Sequence, residues 1–337
     1  MKRMRAEWEK QRAVLFAFPH QWSDWKTYLN EARENFVAII KEVLRFEEVI
    51  LIHHPDDLEG KQRIESEFKK AISEGKMRVY AIKCNDTWAR DFGAINLFEN
   101  EKNILLDFGF NGWGLKFASN WDNQINSSLK TAGEFSDELR VMDMILEGGS
   151  IESDGNGVIL TNTQCLLEKN RNPHLSQEQI EQKLKEHLGA KKILWLNHGY
   201  LAGDDTDSHI DTLARFISPH KIAYVGCDDE SDEHYEELKA MEQELKNLRD
   251  LNGEFYELIK LPFVRAIYDG DERLPATYAN FLFINNALLV PTYADSNDSL
   301  ALQILQDALP HLEVVGVDCQ TLIKQHGSLH CVSMQIY

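Results

Sequence analysis

The sequence predicts a single α/β domain, and three observations carry that expectation. Short strand-like apolar runs alternate with amphipathic helical segments from one end to the other. No Pro-, Gly- or Ser-rich linker, low-complexity stretch or recognisable repeat divides the chain. The 337 residues are 43% hydrophobic and 27% charged, an ordinary balance with ample material for a large core. The span 1–337 therefore reads as one domain.

In chain order, EEVILIHH (47–54), NILLDFGF (103–110) and GVILTNT (157–163) read as short buried strands bounded by turns. SQEQIEQKLKEHL (176–188) follows as a helix with a serine cap, then KKILWLNH (191–198) as another strand. The segment 231–251 is a helix whose Leu238, Met241, Leu245 and Leu248 form one apolar stripe, with acids and lysines on the other face. Its acidic start, Asp228 to Glu237, suits the positive end of a helix dipole. FLFINN (281–286) and ALLVPTY (287–293) read as strands, and NDSLALQILQDAL (297–309) as an Asn/Asp-capped helix.

The formal charge of −19 repels phosphate backbones and anionic lipid and attracts cations. Nucleic acid and membrane surfaces are thereby disfavoured as partners, and a small cationic substrate is favoured. No run approaches the roughly 18 apolar residues of a membrane-spanning helix. The N-terminal segment shows no signal-peptide pattern. Cys84, Cys165, Cys227, Cys319 and Cys331 are scattered and lack CxxC spacing, so neither a disulfide framework nor a zinc knuckle is indicated. The expectation is a reduced, cytoplasmic protein; self-association into a homo-oligomer is left open.

Four stretches carry more polar chemistry than packing needs. In CNDTWARDFGAIN, Asp86, Trp88, Arg90 and Asp91 precede a strand-like run. They read either as an Asp-capped turn or as a carboxylate and an indole lining a site for a flat cation. Glu147, ahead of two glycines, is either a turn carboxylate or the partner that orients a histidine. Cys165 lies in an apolar run and reads as core. In DDTDSHIDTLARF, His209 and Asp211 would share one face of an extended segment. No second cluster has convincing metal-ligand spacing, so no metal is expected. Finally, SLHCVSM, read as a strand, would turn His330 and Cys331 to opposite faces. Cys331 alone is either a buried structural cysteine or a nucleophile served by a base from elsewhere, with His209 the best candidate in kind.

Together, AEWEKQRAVLFAFPH, NDTWARDFGA, EGGSIESDGNGVILTNTQCLLEKNRNP, DDTDSHIDTLARF and the ending HGSLHC resemble the agmatine deiminase family of guanidine-modifying enzymes, in order and over nearly the whole chain. The resemblance implies a pentein fold: a single-domain, five-bladed α/β propeller with pseudo-fivefold symmetry and a central channel. It also implies a hydrolase of C–N bonds in linear amidines, converting agmatine to N-carbamoylputrescine and ammonia towards putrescine, without cofactor or metal. By the same resemblance Cys331 matches the nucleophile, His209 the general acid/base and Glu147 its carboxylate partner. Asp91 and Asp211 match the guanidinium-gripping pair, Trp88 a channel wall, and Asp205 an acid near the distal amine. Departures stand beside the nucleophile: Gln325 and His326 replace two family glycines, Ser328 replaces an asparagine, and Ala94 stands where proline is usual.

Two other readings remain. Peptidyl-arginine deimination shares the same core, although the acids Asp204, Asp205 and Asp207 suit a distal ammonium better than an α-carboxylate. A catalytically inactive polyamine-binding protein on the same fold would have no use for the cysteine and histidine.

Overall fold

A computed structural model describes residues 2–337. Five sheets of three or more strands repeat one plan: an antiparallel pair, then a parallel partner reached through a helical crossover. The first joins Ile95–Glu99 antiparallel to Lys102–Gly109, then parallel to Glu138–Ile145, with Lys2–Met4 added on its edge. The second is Glu152–Ser153, Val158–Asn162 and Lys192–Leu196. The third is Ala214–Ser218, Lys221–Val225 and Glu257–Leu261. The fourth is Leu282–Ile284, Ala287–Thr292 and Glu313–Asp318. The fifth pairs Met334–Ile336, at the C-terminus, with Ala13–Ala17, which runs parallel to Glu48–His53 and on to Met77–Ala81. A hairpin, Tyr268–Asp269 with Glu272–Arg273, stands apart from the five.

Parallel neighbours need a long crossover, and each one here carries a helix. Ile125–Thr131, Gln177–Leu188, Tyr235–Asn247, Asp298–Ala308 and Leu29–Val43 fill these places in the five sheets. The strand and helix expectations from the sequence are met within two or three residues, except at helix ends. The Tyr235–Asn247 stripe stops at Leu245, and Leu248 is the extended residue that ends the helix. Ser176 forms a full capping box with Gln179, as its sequence suggests. Asn297 does not cap with its side chain, which instead donates to the Phe263 carbonyl at 2.9 Å.

Two local readings are corrected. His209 and Asp211 do not lie on an extended strand: Ile210–Thr212 is one 3₁₀ turn, closed by the Thr212 N–H donating to the His209 carbonyl at 3.1 Å. Nor does Cys331 lie in a strand. Residues 329–332 form a turn, and the final strand begins only at Met334. The antiparallel pairing of that strand with Ala13–Ala17 holds the chain end in the interior, where Ile336 is fully buried.

Candidate active site

The repeated plan brings one polar side chain from each sheet to a common place. Asp91 stands just before Ile95–Glu99, Glu147 before Glu152–Ser153 and Asp211 before Ala214–Ser218. Asn280 precedes Leu282–Ile284, and Cys331 precedes Met334–Ile336. All five are buried. Residues far apart in sequence thus converge because they hold equivalent positions in five structural repeats.

The EGG motif explains the tightness of this convergence. A Cβ on Gly149 would fall 2.6 Å from His209 Nδ1, 2.9 Å from Asp91 Oδ1 and 3.0 Å from Asp211 Oδ2. Only glycine fits at the centre of these three groups, and its N–H donates to Asp91 Oδ1 at 3.0 Å. The other oxygen of Asp91 accepts the Trp113 indole N–H at 2.9 Å.

Cys331 Sγ lies 4.0 Å from Asp211 Oδ2 and 3.4 Å from Asn280 Oδ1. The same Asn280 oxygen accepts the His330 N–H at 2.9 Å, fixing the turn that carries the thiol. Asp211 Oδ2 is 2.7 Å from His330 Nδ1, and His330 Nε2 is 2.7 Å from Glu7 Oε1. Because residues 329–332 form a turn, His330 and Cys331 reach the same carboxylate rather than opposite faces of a sheet. Behind them Arg215 pairs with Glu7 and Glu152, and Arg90 with Glu7.

His209 Nδ1 is 3.6 Å from Asp91 Oδ1. Glu147, expected beside this imidazole, gives both oxygens to Arg171 Nε at 2.9 and 3.0 Å, a charge-assisted contact with both side chains wholly buried. A Glu147 oxygen, the Cys165 sulfur and a His209 ring nitrogen still lie within 4.8 Å of one another. Cys165, read as core, is indeed fully buried, but it packs beside the imidazole. Glu7, Glu152 and His330 form a second such trio. In each trio a guanidinium already supplies the positive charge that a metal ion would bring.

A cavity of about 140 Å³ opens onto this cluster. Asp91 and Cys331 contribute to its buried floor, and Trp88, Trp113, Phe117 and Gly327 wall it. Asp24, Asp86, Asp205, Gln325 and His326 line the more exposed end. Trp88 is backed by Trp25 at 5.7 Å between ring centroids, and a Cβ on Gly327 would fall 2.2 Å from the Trp88 ring. His209, Asp211 and Glu147 lie directly behind the lining rather than in it. His209 Nε2 and Asp211 Oδ1 are buried without a hydrogen-bond partner, the condition a bound group can relieve.

The electrostatics follow from burial and crowding. Burial pushes Asp91 up to about 6, opposed by His209 and assisted by Asp211. Burial also resists charge on Asp211, but His330, His209 and Arg215 hold its carboxyl below the usual range. For His209, burial opposes the imidazolium; Asp91, Cys165 and Asp211 outweigh it and raise its pKa well above the usual value. Burial, then the charges of Asp211 and Asp91, push the Cys331 thiol well up. At the outer end, burial and Asp24 push Asp86 up to about 7, while burial and Asp204 push Asp205 up to about 6.

Sequence reasoning missed Asn280, Arg171, Trp113, Asp24 and the role of His330. Only Arg171 and His330 stand in quoted stretches: Arg171 in the NRNP end of the EGG stretch, where it was not singled out, and His330 beside Cys331, where it was set aside with the strand reading.

The fold and the site together define a pentein-type α/β protein with a thiol, an imidazole and paired carboxylates gathered at one cavity. The family model described as Porphyromonas-type peptidyl-arginine deiminase matches residues 3–336. A solved structure carrying the name peptidyl-arginine deiminase is 54% identical, covers 100% of this chain and 98% of its own, and superposes with a TM-score of 0.96. A cysteine-to-serine variant of the C. jejuni agmatine deiminase with substrate bound is 44% identical, with 100% and 96% coverage and a TM-score of 0.92. The agmatine deiminase of Pseudomonas aeruginosa (strain LESB58) is 31% identical over 99% of this chain and 95% of its own. The chain belongs to the Porphyromonas-type peptidyl-arginine deiminase family.

Among the described residues, no helix is long and apolar enough to cross a membrane.

Proposed function

We propose that this chain is, over the whole span 1–337, one catalytic domain that hydrolyses agmatine to N-carbamoylputrescine and ammonia, a step towards putrescine. The observation that carries the reading is the meeting of Asp91, Asp211 and His209 about the Cys331 thiol, with Asp91 and Cys331 on the floor of an acid-lined cavity and the other two directly behind it. Agmatine deiminases stand among the relatives, including one solved with its substrate.

A guanidinium is planar, permanently charged and a poor electrophile. Asp91 and the unpartnered oxygen of Asp211 would accept its N–H groups and hold its carbon near the sulfur, making attack effectively unimolecular. The two carboxylates that raise the thiol's pKa are those the guanidinium neutralises. Substrate binding therefore favours the thiolate, the nucleophilic form.

Attack forms the S–C bond and a tetrahedral adduct. His209, whose imidazolium Asp91, Cys165 and Asp211 favour against burial, gives its proton to the departing nitrogen. The C–N bond breaks, ammonia leaves, and an amidino-thioether remains on Cys331. Neutral His209 then takes a proton from water as its oxygen attacks the same carbon. The adduct's hydroxyl loses its proton as the C–S bond breaks, the sulfur pair returns to Cys331 and takes up a proton in place of the one released when the thiolate formed, and the ureido product departs. Glu147 is pinned by Arg171 near the imidazole and would help to position it. Trp88 presents an indole face to the alkyl guanidinium. Asp205 lies with Asp24 and Asp86 where a distal ammonium would reach. Five unpaired cysteines suit a reducing compartment such as the cytoplasm.

Purified protein offered agmatine, free arginine and an arginine-containing peptide, with ammonia release followed, tests the choice. The expected order of kcat/KM places agmatine first. Preference for the peptide would replace this reading with peptidyl-arginine deimination, the activity in the family's name.

A further inference from the structure

Three acids line the outer end of the cavity, and no lysine or arginine side chain lines it. A distal ammonium is well served there, whereas an α-carboxylate would face the three acids, with Lys116 tied to the Asp205 carbonyl and to Asp207. Charge alone, however, does not exclude a peptide-bound arginine, whose flanking groups are neutral. That discrimination must come from shape.

His326 has the geometry for it. Its backbone φ is +65°, a left-handed conformation that non-glycine residues adopt at a cost. Its ring reaches the acidic loop, where Nδ1 lies 2.7 Å from the Gly203 carbonyl oxygen. A carbonyl only accepts, so Nδ1 carries the proton. Gly203 is itself trapped: a Cβ there would fall 2.2 Å from the Arg273 carbonyl of the isolated hairpin. On the neighbouring side Gly327 lies flat against the Trp88 indole. The ring thus bridges the indole wall and the loop that presents Asp205, with Gln325 beside it on the cavity lining.

We propose that His326, supported by Gln325, is a specificity-determining residue that limits the cavity to guanidino substrates ending in a free primary amine. Guanidino groups borne on a continuing acyl-amide backbone are excluded. This rests on the agmatine reading and sharpens it. The ring stands on the lining of the cavity's outer end, and its bond to the Gly203 carbonyl ties it to the loop that carries Asp205 two residues on.

The test uses the full chain as native protein, H326G and H326N. Glycine and asparagine both tolerate the left-handed backbone, so neither substitution strains the turn. Ammonia release is measured with agmatine and with N-acetyl-arginine amide, a neutral-flanked mimic of peptidyl arginine, and melting temperature is recorded for each protein. The ratio of kcat/KM for the arginine amide to that for agmatine should rise about tenfold in H326G and by less in H326N. A ratio within about twofold of native in both variants overturns the proposal, including the case where both substrates lose rate in proportion. If the native chain turns over agmatine while the ratio stays fixed, only this proposal falls. If the native chain leaves agmatine untouched, both fall.

Discussion

The floor of the cavity and its mouth are built differently. At the floor each functional carboxylate is held by another buried side chain: Asp91 by Trp113, Asp211 by His330, and His330 in turn by Glu7. At the mouth Asp86 and Asp205 sit on loops and Asp24 opens a short 3₁₀ helix, Asp24–Tyr28. The Asp205 carbonyl accepts from Lys116 Nζ at 2.6 Å, the Gly203 carbonyl from His326 at 2.7 Å, and Asp24 is exposed. A floor braced by charge-assisted bonds in a dry interior is preorganised for one chemistry. A mouth hung on loops can change its substrate without disturbing that floor.

Removing the reacting atom should have the largest effect. Cys331→Ala should lower kcat by about 10⁴-fold or more, because a covalent route cannot proceed without its sulfur. Agmatine should still bind, since Asp91, Asp211 and the mouth remain; calorimetry would show this. Ammonia release at the native rate would take Cys331 out of the mechanism and leave the floor without its purpose.

The next test asks whether bracing matters apart from contact. His330 holds the same Asp211 oxygen, Oδ2, that faces the thiol, and burial with Arg215 and Arg90 opposes its charge while Glu7 and Asp211 favour it. His330→Leu should cost about a hundredfold in kcat/KM by releasing Asp211 from its aim. His330→Asn, which can keep an N–H near the place of Nδ1, should recover part of that loss. Equal losses in both variants, with native melting temperatures, would show that Asp211 needs no orienting donor.

The contrast between floor and mouth also separates what the sequence could reveal from what it could not. Cys331, His209, Asp91 and Asp211 were legible because their motifs resemble a known family, and all four meet. The five sheets were not legible as repeats, because their shared plan lies in strand direction and crossover, not in residue identity. Asn280 was hidden for the same reason: its role comes from standing before the fourth sheet, and TYANFLF carries no chemical signal. Periodicity misled where the backbone turns. His209 to Asp211 and Leu329 to Val332 both bend within a few residues, so period-two alternation gave the wrong neighbours. Glu147 was found, but its partner Arg171 was not, since one Nε–H shared between two carboxylate oxygens across 24 residues leaves no local trace.

The smallest expected effect lies at the mouth, and acidity sharpens the comparison. A protonated carboxyl cannot pair with a cation, so kcat/KM for agmatine should fall as pH drops from about 8 to about 5. Asp91, raised by burial to about 6, and Asp86, raised by burial and Asp24 to about 7, both gain protons in that interval. Asp205, raised by burial and Asp204 to about 6, titrates there too. Asp205→Asn should raise KM about fivefold while leaving kcat nearly constant, the size expected for one partly exposed ion pair. The acid limb should survive in that variant, because Asp91 at the floor and Asp86 at the mouth still titrate. A profile flattened by Asp205→Asn would mean that the mouth governs the pH dependence. A fall in kcat instead of a rise in KM would mean that the loop bearing Asp205 also aligns His209, four residues on, and that the two regions act as one.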